Sequence, residues 1–290
     1  MTFSIVAFEP ESGSWGVAVA SKCLAVGFAV PWGGAGAGAV ATQALANLSY
    51  GPDGVAMLRS GRSAAEVVKA LTAPDQLASH RQLGVVDAQG HAANHTGSDC
   101  LPWAGGITDG DVSLQGNILA GEQVLQAMLK AYRGSKGEAL QRRLLHAIEA
   151  GDAAGGDRRG RQSAAVKVWR DGAAYGGGLD VAVDLRVDDK PEPIPELARL
   201  IDLHHLYFER PDPATLIPID ARLKSEIVSA LDRLGYQPDR DFENALTRWI
   251  GTENFEEREV PGQIDPLVLD HLRKMVGAVP AVPSPLRGEG

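Results

Sequence analysis

Only two cysteines, Cys23 and Cys100, occur in the 290 residues. That excludes a disulfide framework and points to a reduced, cytoplasmic setting. Basic residues are in deficit: 28 Lys and Arg stand against 37 Asp and Glu, for a net charge of −9. An imbalance of that sign argues against nucleic acid and against an anionic membrane surface as partners. No apolar run approaches the ~20 residues needed to span a bilayer. The start lacks a basic segment followed by an apolar core, so no signal peptide is expected. Glycine, by contrast, is abundant at 34 residues, which suits tight turns and close backbone packing.

Residues 1–22 set the frame. TFSIVAFEP and WGVAVASK are strand-like and flank a polar turn at Gly13, which predicts a β-hairpin. Both runs are apolar on both faces, as in strands covered from both sides. Thr2 follows Met1, and a small residue there allows the initiator methionine to be removed. The new terminus would carry a hydroxyl and an α-amine on one residue, and such an amine titrates near ~8. Threonine paired with its own amine is an activated nucleophile. Many domains also begin Met-Thr and open on a strand, so Thr2 alone does not define the chemistry.

Two further strands are expected around the glycine-rich turn at 33–38. AVATQ, a strand, follows those glycines, whereas a dinucleotide site needs a helix there. Helices are expected from about Tyr50 and, through the S-x-x-E capping box of Ser63 and Glu66, from about Ser63. QLGVVDAQGHAANHTG predicts a hairpin turning at Ala88-Gln89-Gly90, and SLQGNILAG another strand. A helix pair follows, its second member closing on Gly151. Then come strands SAAVKVW and VAVDLRV and a proline-started helix, PIPELARLIDLHHLYF. Antiparallel strands with helix pairs inserted between them predict an α+β fold, two sheets face to face with helices outside, as a four-layer αββα sandwich. This main domain spans 1–210. A proline-rich linker, 211–220, leads to a small all-α domain at 221–276 with three helices, one capped by Asp241, and then to a tail at 277–290 expected to be disordered.

Four groups of polar residues interrupt apolar surroundings: Ser21-Lys22; Thr42-Gln43 with Asn47, Ser49 and Tyr50; Gln115-Gly116-Asn117; and the run from Gly155 to Ser163. A buried polar side chain is costly unless paired, so such residues cap strand ends or belong to a site. Asn117, Gln115 or glycine backbone offers N–H donors to an oxyanion. Lys22 would lower an amine's pKa or stabilise negative charge. Arg158 or Arg159 would hold a carboxylate in a fork, unless the run is a solvated loop. His91 and His95 lack the glutamate of H-E-x-x-H. Asp184, Asp188 and Asp189 could hold a cation, or form a charged turn with Asp184 paired to Arg186. Cys23, beside apolar residues, is expected to be buried and inert.

TFSIVAFEPESGSWGVAVASK, AVATQALANLSYGPDG, SLQGNILAG, AAGGDRRGRQSAA and VDLRVDD together resemble the DUF1028 family of bacterial proteins, over about residues 2 to 210. That family is grouped with the N-terminal-nucleophile (Ntn) hydrolases, such as the proteasome subunits. The resemblance implies the αββα sandwich and places Thr2, after loss of Met1, as the nucleophile. It implies Ser21 and Lys22 as polar partners, with Asn117 completing the catalytic set. By the same motif blocks, Thr42, Gln43, Asn47, Gln115, Asp157 and Arg158 bind substrate. The helical module looks like a peptidoglycan-binding domain often appended to this family, on SALDRLGYQPD and the spacing to HLRKM.

The expectation is therefore an amidohydrolase acting on a small or peptide-like metabolite, needing no metal or organic cofactor and pairing as a dimer, with a glycan or peptidoglycan fragment as partner of the helical module. The alternative is a non-catalytic binding or scaffold protein. A third candidate is metal-dependent hydrolysis through His91 and His95 or the Asp184 group.

Overall fold

The computed structural model describes residues 2–238 and 241–278. The chain divides into two compact units, Met1–Ile201 and Asp202–Gly290.

The first unit is mixed α+β with antiparallel sheets. Its elements are β1 (Thr2–Glu9), β2 (Ser14–Ser21), α1 (Val26–Ala29), β3 (Pro31–Gly34), β4 (Gly38–Ala44), α2 (Tyr50–Arg59), α3 (Ala64–Thr72), β5 (Arg81–Asp87) and β6 (Ala92–Thr96). There follow β7 (Gly105–Asp109), β8 (Val112–Asn117), α4 (Gln123–Gly134), α5 (Leu140–Ala153), β9 (Ser163–Trp169), β10 (Val181–Val187) and α6 (Pro193–Phe208), whose residues from Asp202 on fall in the second unit. One sheet has the order β10-β9-β2-β1-β8-β7 and the other β3-β4-β5-β6.

Strand alternation sorts the side chains. Phe3, Ile5 and Ala7 join one apolar cluster with residues of α4, α5 and α6. Their neighbour Val6 packs instead with Val17 and Val19 against Ala39, Ala41 and Val86 of the other sheet. On that sheet's far side, Val40, Leu83 and Val85 meet Tyr50, Val55, Leu58 and Val67 of α2 and α3. β1 is thus central in its sheet and covered on both faces, as its sequence predicts.

The capping box at α3 is complete, with Ser63 Oγ accepting from the Glu66 amide and Glu66 receiving the Ser63 amide. Two expectations are corrected. α5 does not close on Gly151 but runs to Ala153. A Cβ at Gly151 would lie 2.7 Å from Met128 Cγ and 3.3 Å from Phe3, so this glycine lets α4 and β1 approach, and the left-handed turn falls on Gly155 and Gly156. Strand β7 is additional to the elements the sequence predicts. It pairs with β8 through a hairpin at Gly110, φ +54°.

The second unit is largely helical: β11 (Ile217–Pro218), α7 (Ala221–Arg233), α8 (Phe242–Thr252), β12 (Gln263–Ile264) and α9 (Pro266–Ala278). Ile227, Leu231, Trp249, Phe255 and Leu269 form its core, with Ile217 and Ile219 packed against it. Asp220 and Asp241 cap α7 and α8, each accepting from the amide three residues on. The tail expectation falls almost wholly on 279–290, outside the described residues. Among the described residues no helix is long and apolar enough to cross a membrane.

Candidate active site

The register of the six-stranded sheet lines up four polar residues in one row. Ser163 lies opposite Ser21, Ser21 opposite Thr2, and Thr2 opposite Asn117. Directly paired residues share a sheet face, here the face toward the second sheet. The Thr2 hydroxyl lies 3.1 Å from the Ser21 hydroxyl. Ser163 holds the following loop, donating to the Cys23 carbonyl at 2.6 Å and accepting from the Val26 amide.

Behind that row, the space between the sheets is filled by side-chain amides and hydroxyls. Ser4 Oγ donates to Gln43 Oε1 at 2.7 Å, and Gln115 Nε2 donates to Ser4 Oγ at 2.6 Å. Ser113 Oγ donates to Gln115 Oε1. Gln82 Oε1 accepts from both Gln43 Nε2 (2.8 Å) and Asn117 Nδ2 (2.9 Å). Gln82 Nε2 donates in turn to Thr96 Oγ1, Gly105 O and Gly116 O. Gln43 Nε2 also reaches the Thr2 carbonyl at 3.3 Å. Room for Gln115 comes from Gly84, where a Cβ would sit 2.0 Å from Gln115 Oε1. Thr2 is 6 % exposed and Ser4, Gln82, Ser113 and Gln115 are fully buried. These groups satisfy one another without a formal charge, which makes their burial tolerable and fixes their orientations.

Of the residues singled out by sequence, Thr2, Ser21, Gln43, Gln115 and Asn117 come together here. Others do not. Lys22 presents its side chain to solvent, while its backbone amide donates to Asp157 Oδ2 at 2.8 Å. Asp157 is buried, and its other oxygen accepts from the Arg159 amide. With Asp152, Arg161 and Pro191 it lines a cavity of about 300 Å³. Arg158 is exposed and donates to the Pro102 carbonyl. Thr42 lies one residue out of phase with Gln43, and its hydroxyl bonds the Asn47 carbonyl at 3.2 Å. The Asn47 side chain holds Ser49 at the start of α2.

Ser4, Gln82, Ser113 and Thr96 belong to the network and are absent from the sequence-derived set. For Ser4 and Ser113 the signal is period two, since Ser4 is two residues from Thr2 and Ser113 two from Gln115. Gln82 is a lone amide ahead of the apolar run LGVV, and Thr96 is set only by its pairing with Gln82.

A second polar group braces the loop after β4. Asp75 accepts from Arg81 Nε (2.9 Å) and from the Tyr50 hydroxyl (2.7 Å). The hydrogen bond from Arg81, then those from Tyr50 and the Leu77 amide, hold the Asp75 carboxyl well below the usual range. Burial first, then Asp75, pushes the Tyr50 phenol above its ordinary value.

His95 Nε2 is engaged by the Ala78 carbonyl and His91 is exposed beside Asp87. Asp184 pairs with Lys167 and Arg186. Among the described residues no group of three or more His, Cys, Asp or Glu could hold a metal ion. Cys23 is exposed, against expectation. β2 ends at Ser21, so the next residues turn outward, and Leu24 beside it is exposed as well.

Fold and site thus define a two-unit protein, an α+β unit with an uncharged polar site between its sheets and a helical unit after it. The first family model, described as DUF1028, a family of unknown function, matches residues 2–197, and the chain belongs to that family. A second model, described as "Putative peptidoglycan binding domain", matches residues 207–272. Among solved structures, the crystal structure of a DUF1028 protein from Silicibacter pomeroyi is 33% identical, with a TM-score of 0.64, covering 70% of this chain and 89% of that one. No curated protein matches the chain.

Proposed function

We propose that the chain is an N-terminal-nucleophile amidohydrolase of the four-layer αββα type, with Thr2 as nucleophile after removal of Met1. The observation that carries this reading is the position of Thr2: first residue of a central, doubly covered strand, its hydroxyl beside Ser21 and its paired neighbour Asn117. The Thr2 hydroxyl attacks the substrate carbonyl while its own α-amine takes the proton. The leaving amine departs with that proton, and an ester remains on Thr2 Oγ1. Water, deprotonated by the same amine, then releases the acid and restores the hydroxyl. Asn117 spends one N–H of its amide on Gln82, and the other is the donor we assign to the oxyanion. Ser21 orients the nucleophile. Gln43 and Gln115 shape the site from behind, whereas Lys22, Thr42, Asn47 and Arg158 act no closer than its rim. Asp157 fixes the end of β2.

Hydrolysis of an amide library by untagged protein tests this. Thr2→Ala is expected to lose at least about a thousandfold in kcat/KM, as for removal of a catalytic nucleophile elsewhere. Activity is expected to rise with pH through about 8, because the amine acts as a base only when deprotonated. Equal turnover by wild type and Thr2→Ala would overturn the assignment.

The match over residues 207–272 favours a second role, glycan binding by the helical unit. Co-sedimentation with peptidoglycan, retained by wild type and lost without residues 202–290, is the expected result. Equal sedimentation of both chains would remove that role.

A further inference from the structure

The first unit displays its exposed large apolar side chains at one end. Leu24, Phe28, Leu45, Leu48, Leu77 and Leu101 are between 41 % and 67 % exposed. They stand on the segments at the end of the sheets where β1 begins with Thr2, β2 ends at Ser21, β4 ends at Ala44, β5 begins at Arg81 and β8 ends at Asn117. Among the described residues of this unit, the other such side chain is Leu179, in the β9–β10 turn at the opposite end. A lone exposed leucine means nothing, but a group gathered around one polar row does.

The backbone beneath this rim is fixed. Leu45 donates its amide to the His80 carbonyl and accepts from Arg81 Nη1 at its own carbonyl. The Ile118 amide donates to the Leu101 carbonyl at 2.8 Å. Among the described residues of the first unit, the non-glycine residues with left-handed backbone are Ala25, Ala44 and Ile118, at φ +53°, +68° and +52°. All belong to this end. Ala44 follows Gln43 and Ile118 follows Asn117, both members of the network around Thr2. Such a conformation is costly, most of all for a β-branched residue, and costs of this kind are retained where a ligand site dictates the main chain.

The centre of this end is polar without a formal charge, and its circumference is aliphatic. Sites of that make-up take a largely apolar ligand and orient it by a few polar groups. A carboxylate or ammonium seated on the row would lose water and gain no counter-charge from the network. We propose, on the Thr2 chemistry argued above, that the substrate is an uncharged amide with an aliphatic acyl chain, the carbonyl at Thr2 and the chain across Leu24, Leu45, Leu48 and Leu101. The acyl part is the one that stays on Thr2 through attack and hydrolysis, so holding it serves both steps.

Acetamide and hexanamide are the probes. Each is hydrolysed with one water to its carboxylate and ammonium. Ammonium release by wild type is expected to show kcat/KM about tenfold higher for hexanamide, as burial of two of its four added methylenes gives. Binding is read separately, by ligand-observed NMR titration of Thr2→Ala, which does not consume the amide. It too is expected to favour hexanamide about tenfold. Leu45→Asn and Leu101→Asn, at exposed positions, are each expected to weaken hexanamide binding by about threefold or more, and Leu179→Asn to leave it unchanged. Selective binding by Thr2→Ala with no turnover by wild type would uphold the rim and overturn the nucleophile. Equal binding of the two amides would overturn the rim, whatever the turnover. Lys22 and Arg158 are also exposed at this end. Adipamate, the same chain ending in a carboxylate, bound more tightly than hexanamide would therefore put those charges in control and overturn the aliphatic assignment. A solution mass halved by Leu45→Asn or Leu101→Asn, with hexanamide binding unchanged, would give the leucines to a second copy of the chain instead.

Discussion

Gln82 holds two amides at once. Its Oε1 receives Asn117 and Gln43, and its Nε2 ties β5 to β7 and β8. Gln82→Leu would leave the Asn117 N–H without its acceptor and Gln43 Nε2 with only its 3.3 Å contacts to the Thr2 and Gln115 carbonyls, and an unmet buried donor costs about 1–3 kcal/mol. The expected outcome is a loss of about 2 kcal/mol by urea unfolding; under the proposed mechanism kcat also falls further than KM rises, because Asn117 loses its orientation. Ser113→Ala, at the edge of the same network, should cost about 1 kcal/mol and leave kcat unchanged. Asp75 gives a pH test. Its folded pKa is depressed by Arg81 and Tyr50. Its contribution is therefore complete above the unfolded value of about 3.9 and is lost as pH falls below it. The melting-temperature gap between wild type and Asp75→Asn should be widest near neutrality and close under acid. A gap unchanged down to pH ~3 would contradict this. Much of the residue scale was legible: amides in apolar strands marked Gln43, Gln115 and Asn117. Thr42 and Lys22 were misplaced because adjacent residues on a strand face opposite ways, and a motif block does not show where a strand ends.

At the scale of elements, local chemistry was legible wherever it is self-contained. The Ser63–Glu66 box and the Asp241 cap follow from three-residue spacing alone. Ser63→Ala should cost about 1 kcal/mol in chemical denaturation. The end of α5 was not legible, because Gly151 is set by packing on Met128 and Phe3, residues remote in sequence. Gly151→Ala improves helix propensity by up to about 1 kcal/mol, yet it should destabilise by about 1–2 kcal/mol overall, since overpacking a core costs about 1–3. A more stable Gly151→Ala protein would show that the contact relaxes freely. Strand β7 is not legible in the sequence, because GGITD has little apolar content and its pairing is set by β8.

On the scale of the whole molecule, the two antiparallel sheets and the helical C-terminal unit were readable from element order. What order could not show is the depth of the polar network, which joins residues from both sheets. The proline-rich segment supplies Ile217 to a two-strand pairing with Ile264, a contact that only tertiary structure reveals. The second unit carries a buried pair, Arg258 with Asp265 at 2.6 Å, and Arg258 also donates to the Leu206 carbonyl. Asp265→Ala leaves that guanidinium uncompensated and should cost about 3–5 kcal/mol, read as loss of the Trp249 fluorescence transition at lower urea.

The central claim is that Thr2 carries a free amine beside its own hydroxyl. The most direct measurement is intact mass with N-terminal sequencing of protein produced without an N-terminal tag. A chain that begins at Thr2 is the predicted result. Quantitative retention of Met1 would leave the Thr2 nitrogen in a peptide bond, unable to accept a proton, and would contradict the mechanism.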